Sequence, residues 1–243
     1  MSSGDGIEEF CKYFAGQANA IASVMLAPAS VGAKEAPGSH LRFQKILCVA
    51  QLDSLAGFRY HKSVFPSLHR ENRERFTRFI RDHANWRVSG LVSLPFLAHE
   101  LRDLKRTESP LGRYVSAKIP KQTHEDGGTL LASKIDVPAV DLFRIASSEK
   151  EEEAIERYQH VSLLYRYRNS LVHEGVEPGY SMEIRSVHEG PFYHSYLGRP
   201  DWHLVYPVRM FVTLLQDSIE SFRDYLIENS IDPYSMVKDH APW

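Results

Sequence analysis

The sequence predicts a mainly helical protein with one small β-meander inserted before its last helix. Three observations carry that prediction. Val208, Phe211, Leu215, Ile219, Phe222 and Leu226 recur at helical spacing over about 208–228. Over 70–86 the same spacing returns, with Phe76, Phe79 and Ile80 set among Arg70, Arg73, Arg75, Arg78 and Arg81. Residues 180–206 break the pattern: Met182, Ile184 and Val187 approximate strand alternation. Glu189-Gly190-Pro191 and Gly198-Arg199-Pro200-Asp201 supply turns there.

The elements follow in order. Residues 7–26 read as a helix, with Phe10, Phe14 and Ile21 among its apolar positions. Pro and Gly mark 28–39 as a loop. A longer helix is expected over 39–60, with Ser39 as an N-cap. Its centre, 46–55, is apolar on nearly every side and is expected to be buried, with Asp53 inside the run. Asp53 reads either as an acid paired with an arginine or as a catalytic acid. The arginines of 70–86 read as a solvated face with i,i+4 charge pairs or as a face for RNA phosphates. A short helix is expected over 91–104. Segment 105–134 is rich in Pro, Gly and charge and reads as irregular. Residues 149–173 read as one helix. Glu149, Glu151, Glu152 and Glu153 suit its positive N-terminal end, and Gly175 and Pro178 stop it.

Composition sets the frame. The 243 residues, 43% hydrophobic and 25% charged, suit a single domain over 1–243 that buries its core without staples. Cys11 and Cys48 form no zinc-ligand or CxxC pattern, so a reducing cytoplasm is expected. Asp5, Glu8 and Glu9 stand where a signal peptide would be basic, and no apolar run approaches the ~20 residues of a membrane span. A net charge of −2 excludes coating nucleic acid through bulk charge.

The chemistry concentrates in Tyr165–Gly175, YRYRNSLVHEG. Arg168 offers a permanently charged planar fork suited to phosphate oxygens. His173 is of the side-chain type that exchanges protons near neutrality. Arg168 lies on the apolar stripe of Val161, Leu164, Tyr165, Leu171 and Val172, so its guanidinium needs a partner. Asn169 and His173 are four apart and share a face. On an ideal helix, at ~100° per residue, Arg168 and His173 stand about 140° apart. Loosening of the last turn, or pairing with the same helix of a second copy, would let them converge. The plainer alternative is a histidine that complements the helix dipole before a glycine C-cap. A second Arg-x4-His, Arg78 to His83, lies mid-helix with Phe79 after the arginine and reads as a decoy.

Arg168-Asn169-Ser170-Leu171-Val172-His173-Glu174 resembles the signature of HEPN domains: an arginine, a polar residue, then a histidine at a helix end. The resemblance covers about 165–175. It implies an antiparallel helical bundle that dimerises through the motif helices. It also implies a metal-independent endoribonuclease of toxin–antitoxin, antiviral defence or stress systems. Arg168 and His173 would be catalytic, with Asn169 in support. Arg166, Arg78 and Arg81 are candidate contacts to the RNA substrate. No cofactor or metal is expected. The implied partners are RNA, a second copy and an antitoxin or regulatory protein, with no membrane. One subgroup of these toxins carries a tyrosine two positions after the histidine, where Gly175 stands here, so that subgroup's control by modification does not transfer.

The rings of the meander (Tyr180, Phe192, Tyr193, His194, Tyr196, Trp202, His203 and Tyr206) suit either core cover or stacking on bases. The competing reading is a non-catalytic module that binds RNA or nucleotide or dimerises, with Arg168 paired to Glu174 or Asp53. No HExxH occurs, and His99-Glu100 and His124-Glu125-Asp126 lack partners at ligand spacing.

Overall fold

A computed structural model describes residues 3–24, 39–120, 128–178, 183, 188–196 and 199–234. Helices dominate, with a small antiparallel sheet component. The chain divides into two compact units. One comprises Met1–Trp86, Leu171–Val176 and Val208–Trp243, the other Arg87–Ser170 and Glu177–Pro207.

The first unit holds α1 (Ser3–Ala22), α2 (Ser39–Arg59), α3 (Asn72–His83) and α10 (Val208–Glu228). Its core follows from spacing. Ile7, Phe10, Phe14, Ala18 and Ile21 form one buried stripe on α1, and Phe76, Phe79, Ile80 and His83 another on α3. All six periodic residues of α10 are buried. Ring contacts join the helices: Phe10 to Phe222 at 6.3 Å, Phe79 to Phe222 at 5.9 Å and Phe10 to Phe58 at 5.1 Å. On α2 the amide of Gln44 donates to the carbonyls of Ile21 and Ala22 at 3.0 Å each, which satisfies orphan groups at the end of α1. The expectation of a wholly buried centre of α2 is corrected. Cys48, Val49, Leu52 and Leu55 are buried, but Leu47 is 42% exposed, because α2 packs on one side only. Asp53 is half-buried.

The second unit holds α4 (Leu94–Asp103), α5 (Pro110–Lys118), α6 (Ala132–Ile135), α7 (Ala139–Phe143), α8 (Glu149–Arg157) and α9 (His160–Asn169). Strands β1 (Leu91–Val92) and β3 (Val137–Pro138) pair antiparallel. A second sheet has the order β2 (Thr129–Leu131), β4 (Phe192–Tyr196), β5 (Arg199–Val205), with Leu131 opposite Phe192 and Phe192 opposite Val205. The core gathers Leu94, Leu97 and Leu101 of α4, Leu111 and Val115 of α5, Leu142 of α7 and Ile155 of α8. At the start of α8 the fully buried Glu151 accepts the backbone N–H and the hydroxyl of Ser147 at 2.6 and 2.9 Å. Glu151 thus ties the first turn of α8 to the chain before it.

Three expectations are corrected here. Segment 105–134 is not irregular throughout: it contains α5 and β2. Ser109 caps α5 by accepting the N–H of Gly112 at 3.0 Å, and Pro110 stands at the first helical position. The meander is completed by β2 from that segment, while Tyr180, Met182, Ile184 and Val187 lie outside the described residues. The helix over 149–173 is two helices. The chain breaks at Tyr158–Gln159 because its backbone joins the β1 region: Ser93 N–H donates to the Tyr158 carbonyl at 2.9 Å, and Val92 bridges Gln159.

Candidate functional site

Helix α9 is anchored by what it buries. Val161, Leu164 and Tyr167 are sealed in, and Tyr167 meets the Tyr206 ring edge-on at 5.1 Å and donates its hydroxyl to Glu177. That fixes the azimuth of the last α-helical residues, Arg168 and Asn169, which are both half-buried. Arg168 Nη1 donates to Asn169 Oδ1 at 2.9 Å, and the guanidinium lies 5.8 Å from the centre of the Tyr165 ring. The amide oxygen of Asn169 is therefore engaged by Arg168, and its NH₂ keeps two donors.

After Asn169 the hydrogen bonding changes. Ser170–Glu174 forms a π turn, closed five residues apart rather than four. The last turn is therefore wider than the regular helix before it. The turn buries Leu171 and leaves Val172, His173 and Glu174 exposed. The apolar stripe predicts a buried Val172, yet it is 41% exposed, because the wider turn shifts the register after Asn169. Gly175 then stops the helix at φ 68°, a backbone conformation that glycine adopts without penalty. The boundary between the two units falls at Ser170–Leu171, so Arg168 and Asn169 belong to the second unit and His173 to the first.

The remaining candidates have local partners. Arg166 is exposed, lies 5.0 Å from the centre of the Tyr158 ring and donates to the Arg157 carbonyl at 3.1 Å, capping the end of α8. On α3, Arg78 Nε stands 3.8 Å from Asp82 Oδ2, an i,i+4 pair of the kind the charge pattern predicts. Its guanidinium also lies 5.3 Å from the centre of the Tyr60 ring. Arg81 is exposed on the same helix. His83, the end of the second Arg-x4-His, is buried. Its Nε2 accepts from Arg59 Nε at 3.3 Å, and its Nδ1 lies 3.1 Å from Ser221 Oγ. Burial first, then the charge of Arg59, lowers its pKa from 6.5 to about 4.

One polar cluster has no counterpart in the sequence pattern. Asp136 Oδ2 accepts from Tyr193 at 2.6 Å and from His160 Nε2 at 2.7 Å, while Oδ1 accepts the Leu94 N–H at 3.0 Å. The Tyr206 hydroxyl donates to the His160 carbonyl at 3.1 Å, and Ser93 Oγ lies 2.8 Å from the Tyr193 hydroxyl. Burial first, then the charge of Asp136, raises the pKa of both tyrosines well above the ordinary phenol value. Sealed from solvent, the cluster ties α4, α9 and the meander together. Tyr193 and Tyr206 thereby cover the core and do not present stacking faces.

The thiols of Cys11 and Cys48 are free and buried, and burial raises their pKa values to about 11 and about 12. Among the described residues no helix is long and apolar enough to cross a membrane, and no three His, Cys, Asp or Glu side chains gather as a metal set. Compared with models of known families, with curated proteins and with solved structures, the chain matches none.

Proposed function

We propose that the chain is an endoribonuclease of the HEPN type, acting as a toxin or as a defence or stress effector. The observation that carries the reading is the end of α9: an arginine held by its neighbouring amide, then a π turn that presents an exposed histidine.

In the proposed reaction an RNA 2′-hydroxyl gives its proton to His173 and its oxygen attacks the adjacent phosphorus. Arg168 stabilises the added negative charge of the phosphorane. The bond from phosphorus to the 5′-oxygen breaks, and the leaving oxygen takes a proton from an imidazolium. The products are a 2′,3′-cyclic phosphate and a 5′-hydroxyl, and neither step needs a metal. Asn169 acts by steering the guanidinium. A second copy, apposed along the motif helix of an antiparallel bundle, would supply a second histidine as the acid. The exposed Val172 and Val176 on either side of His173 support that apposition.

One observation favours the non-catalytic module as a second reading: Arg168 is already satisfied in part within its own helix. The test is cleavage of single-stranded RNA in EDTA by wild type, Arg168→Ala and His173→Ala. The nuclease reading expects cyclic-phosphate ends from wild type, none from either variant and no cleavage of DNA. Undiminished cleavage by both folded variants would remove it. Intact RNA with wild type, together with retained RNA binding, would favour the module.

A further inference from the structure

A surface cavity of about 350 Å³ opens in the first unit where the end of α2, the loop 60–71 and the start of α3 meet. Its charged lining is of one sign: Lys62 and Arg75, joined by the imidazoles of His61 and His69. Among the described residues no carboxylate lines it, although Glu71 and Glu74 lie in the same stretch of chain. The contrast is with a cavity of about 410 Å³ between α1 and α10, where Glu8 and Glu220 balance Lys12 and Arg223. Two cavities of similar size on one unit thus differ in charge. Of the two, the first is set to attract an anion.

The donors are pre-positioned. Arg75 is half-buried and donates to Asn72 Oδ1, which holds its guanidinium in place and leaves other N–H groups for a ligand. His61 is buried, and its Nδ1 accepts the backbone N–H of Ser63 at 3.3 Å. That contact, with Ser63 Oγ 2.7 Å from the same nitrogen, fixes the ring on the cavity wall. Ser54 adds a hydroxyl to the wall. The rest is apolar: the Phe58 ring and Gly57, where an added Cβ would meet nothing within 4 Å. The volume is at the small end of the range for small-molecule sites, about 300–1,000 Å³. It suits one compact ligand with a charged end and a flat body.

We propose that this cavity binds a small phosphate monoester of the size of a nucleoside monophosphate. Arg75 and Lys62 take the phosphate dianion, the imidazoles add hydrogen bonds, and Phe58 lies against the organic part. The site uses none of the residues of the Arg168–His173 motif. It stands or falls without the nuclease reading.

The test is calorimetric titration of the full chain with adenosine 5′-monophosphate, with adenosine, and with a short single-stranded oligoribonucleotide lacking terminal phosphates. The nucleotide is expected to bind once per chain and adenosine at least about tenfold more weakly, since one charge-assisted contact is worth that factor or more. Arg75→Gln is expected to weaken the nucleotide about tenfold. Gly57→Trp, which fills open space and removes no charge, is expected to abolish binding with little change in melting temperature. Should that variant not fold, His69→Gln provides the second reading, with a loss of several-fold. Three results would overturn the proposal. One is no nucleotide binding at millimolar concentration. Another is binding undiminished by Arg75→Gln and His69→Gln. The third is tight, salt-dependent binding of the oligonucleotide where the mononucleotide does not bind, which would make the basic lining a nucleic-acid backbone contact.

Discussion

His160 Nε2 stands 2.7 Å from Asp136 Oδ2, and neither side chain has any exposed surface. Asp136 is the acceptor for three donors that come from distant parts of the chain: Leu94, His160 and Tyr193. Removing a shared acceptor is worse than removing one donor, because each buried donor left behind loses its water without replacement. Asp136→Ala should therefore destabilise the protein by about 3–5 kcal/mol. Tyr193→Phe, which removes one donor, should cost about 1–3 kcal/mol. Urea titration of both variants checks the order. A loss below about 1 kcal/mol for Asp136→Ala would mean that the network contributes specificity only.

Protonation of His83 gives a pH prediction. Its Nε2 already accepts from Arg59, so a second proton would set imidazolium against guanidinium in a buried site. The folded pKa is lowered from 6.5 to about 4. Above pH 6.5 neither the folded nor the unfolded chain carries this proton, and its full contribution to stability is present. As pH falls from 6.5 towards 4, the unfolded chain takes up the proton and the folded chain does not, so stability falls. The loss is at most about 3 kcal/mol. His83→Phe keeps the ring contacts with Phe79 and Phe222 but cannot titrate. Its stability should vary less steeply with pH in that window, by the equivalent of one proton, about 1.4 kcal/mol per pH unit. Denaturant midpoints at a series of pH values read the slope. Equal slopes for wild type and variant would show that His83 does not carry the effect.

What could be read from the sequence was local. Helix α10 is bounded at Val208 and Glu228 as its periodicity predicts, and the arginine face of α3 is solvated with an i,i+4 pair. The misses were set by distant partners. The break at Tyr158–Gln159 carries no Pro or Gly, since its cause is the pairing of its backbone with Val92 and Ser93. Strand β2 is defined by Phe192 to His194, some sixty residues away, and not by its own three residues. Helix α5 was legible, because Ser109-Pro110 is a cap followed by a first-turn proline, but the charge and glycine around it masked the signal. At the candidate site the spacing set Arg168 and His173 well apart around a regular helix. That Ser170–Glu174 is a π turn depends on which carbonyls the backbone finds, which residue types do not reveal.

Gly112 tests how closely the second unit is packed. A Cβ there would press on the backbone carbonyls of Arg106 and Thr107 at less than contact distance. Backbone oxygens cannot swing aside as a flexible side chain does, and Arg106 is itself fixed by its N–H bond to the Leu101 carbonyl at 2.7 Å. Gly112→Ala should cost about 1–3 kcal/mol through overpacking. Gly57→Ala in α2 is the control, for its Cβ meets nothing and alanine favours the helix by about 1 kcal/mol. Opposite signs in denaturant midpoint are expected. A neutral Gly112→Ala would mean that the loop before α5 yields.

The last prediction concerns Arg168 and rests on the nuclease reading. Its Nη1 bond to Asn169 Oδ1, at 2.9 Å, holds one edge of the planar fork. Lysine would keep the charge but lose the plane, the amide contact and the bidentate reach. If the group stabilises a phosphorane, Arg168→Lys should lower the single-turnover cleavage rate by about 10²–10³-fold. Asn169→Ala, which removes that contact and keeps the guanidinium, should cost less, about tenfold. It should do so in rate and not in melting temperature. Asn169→Asp is informative in the same assay, because a carboxylate would hold the arginine more tightly while opposing the phosphate. It should cut the rate at least as much as Asn169→Ala while leaving the protein as stable. An Arg168→Lys variant as fast as wild type would show that only a positive charge is required at this position. Asn169 would then have no part in aiming the guanidinium.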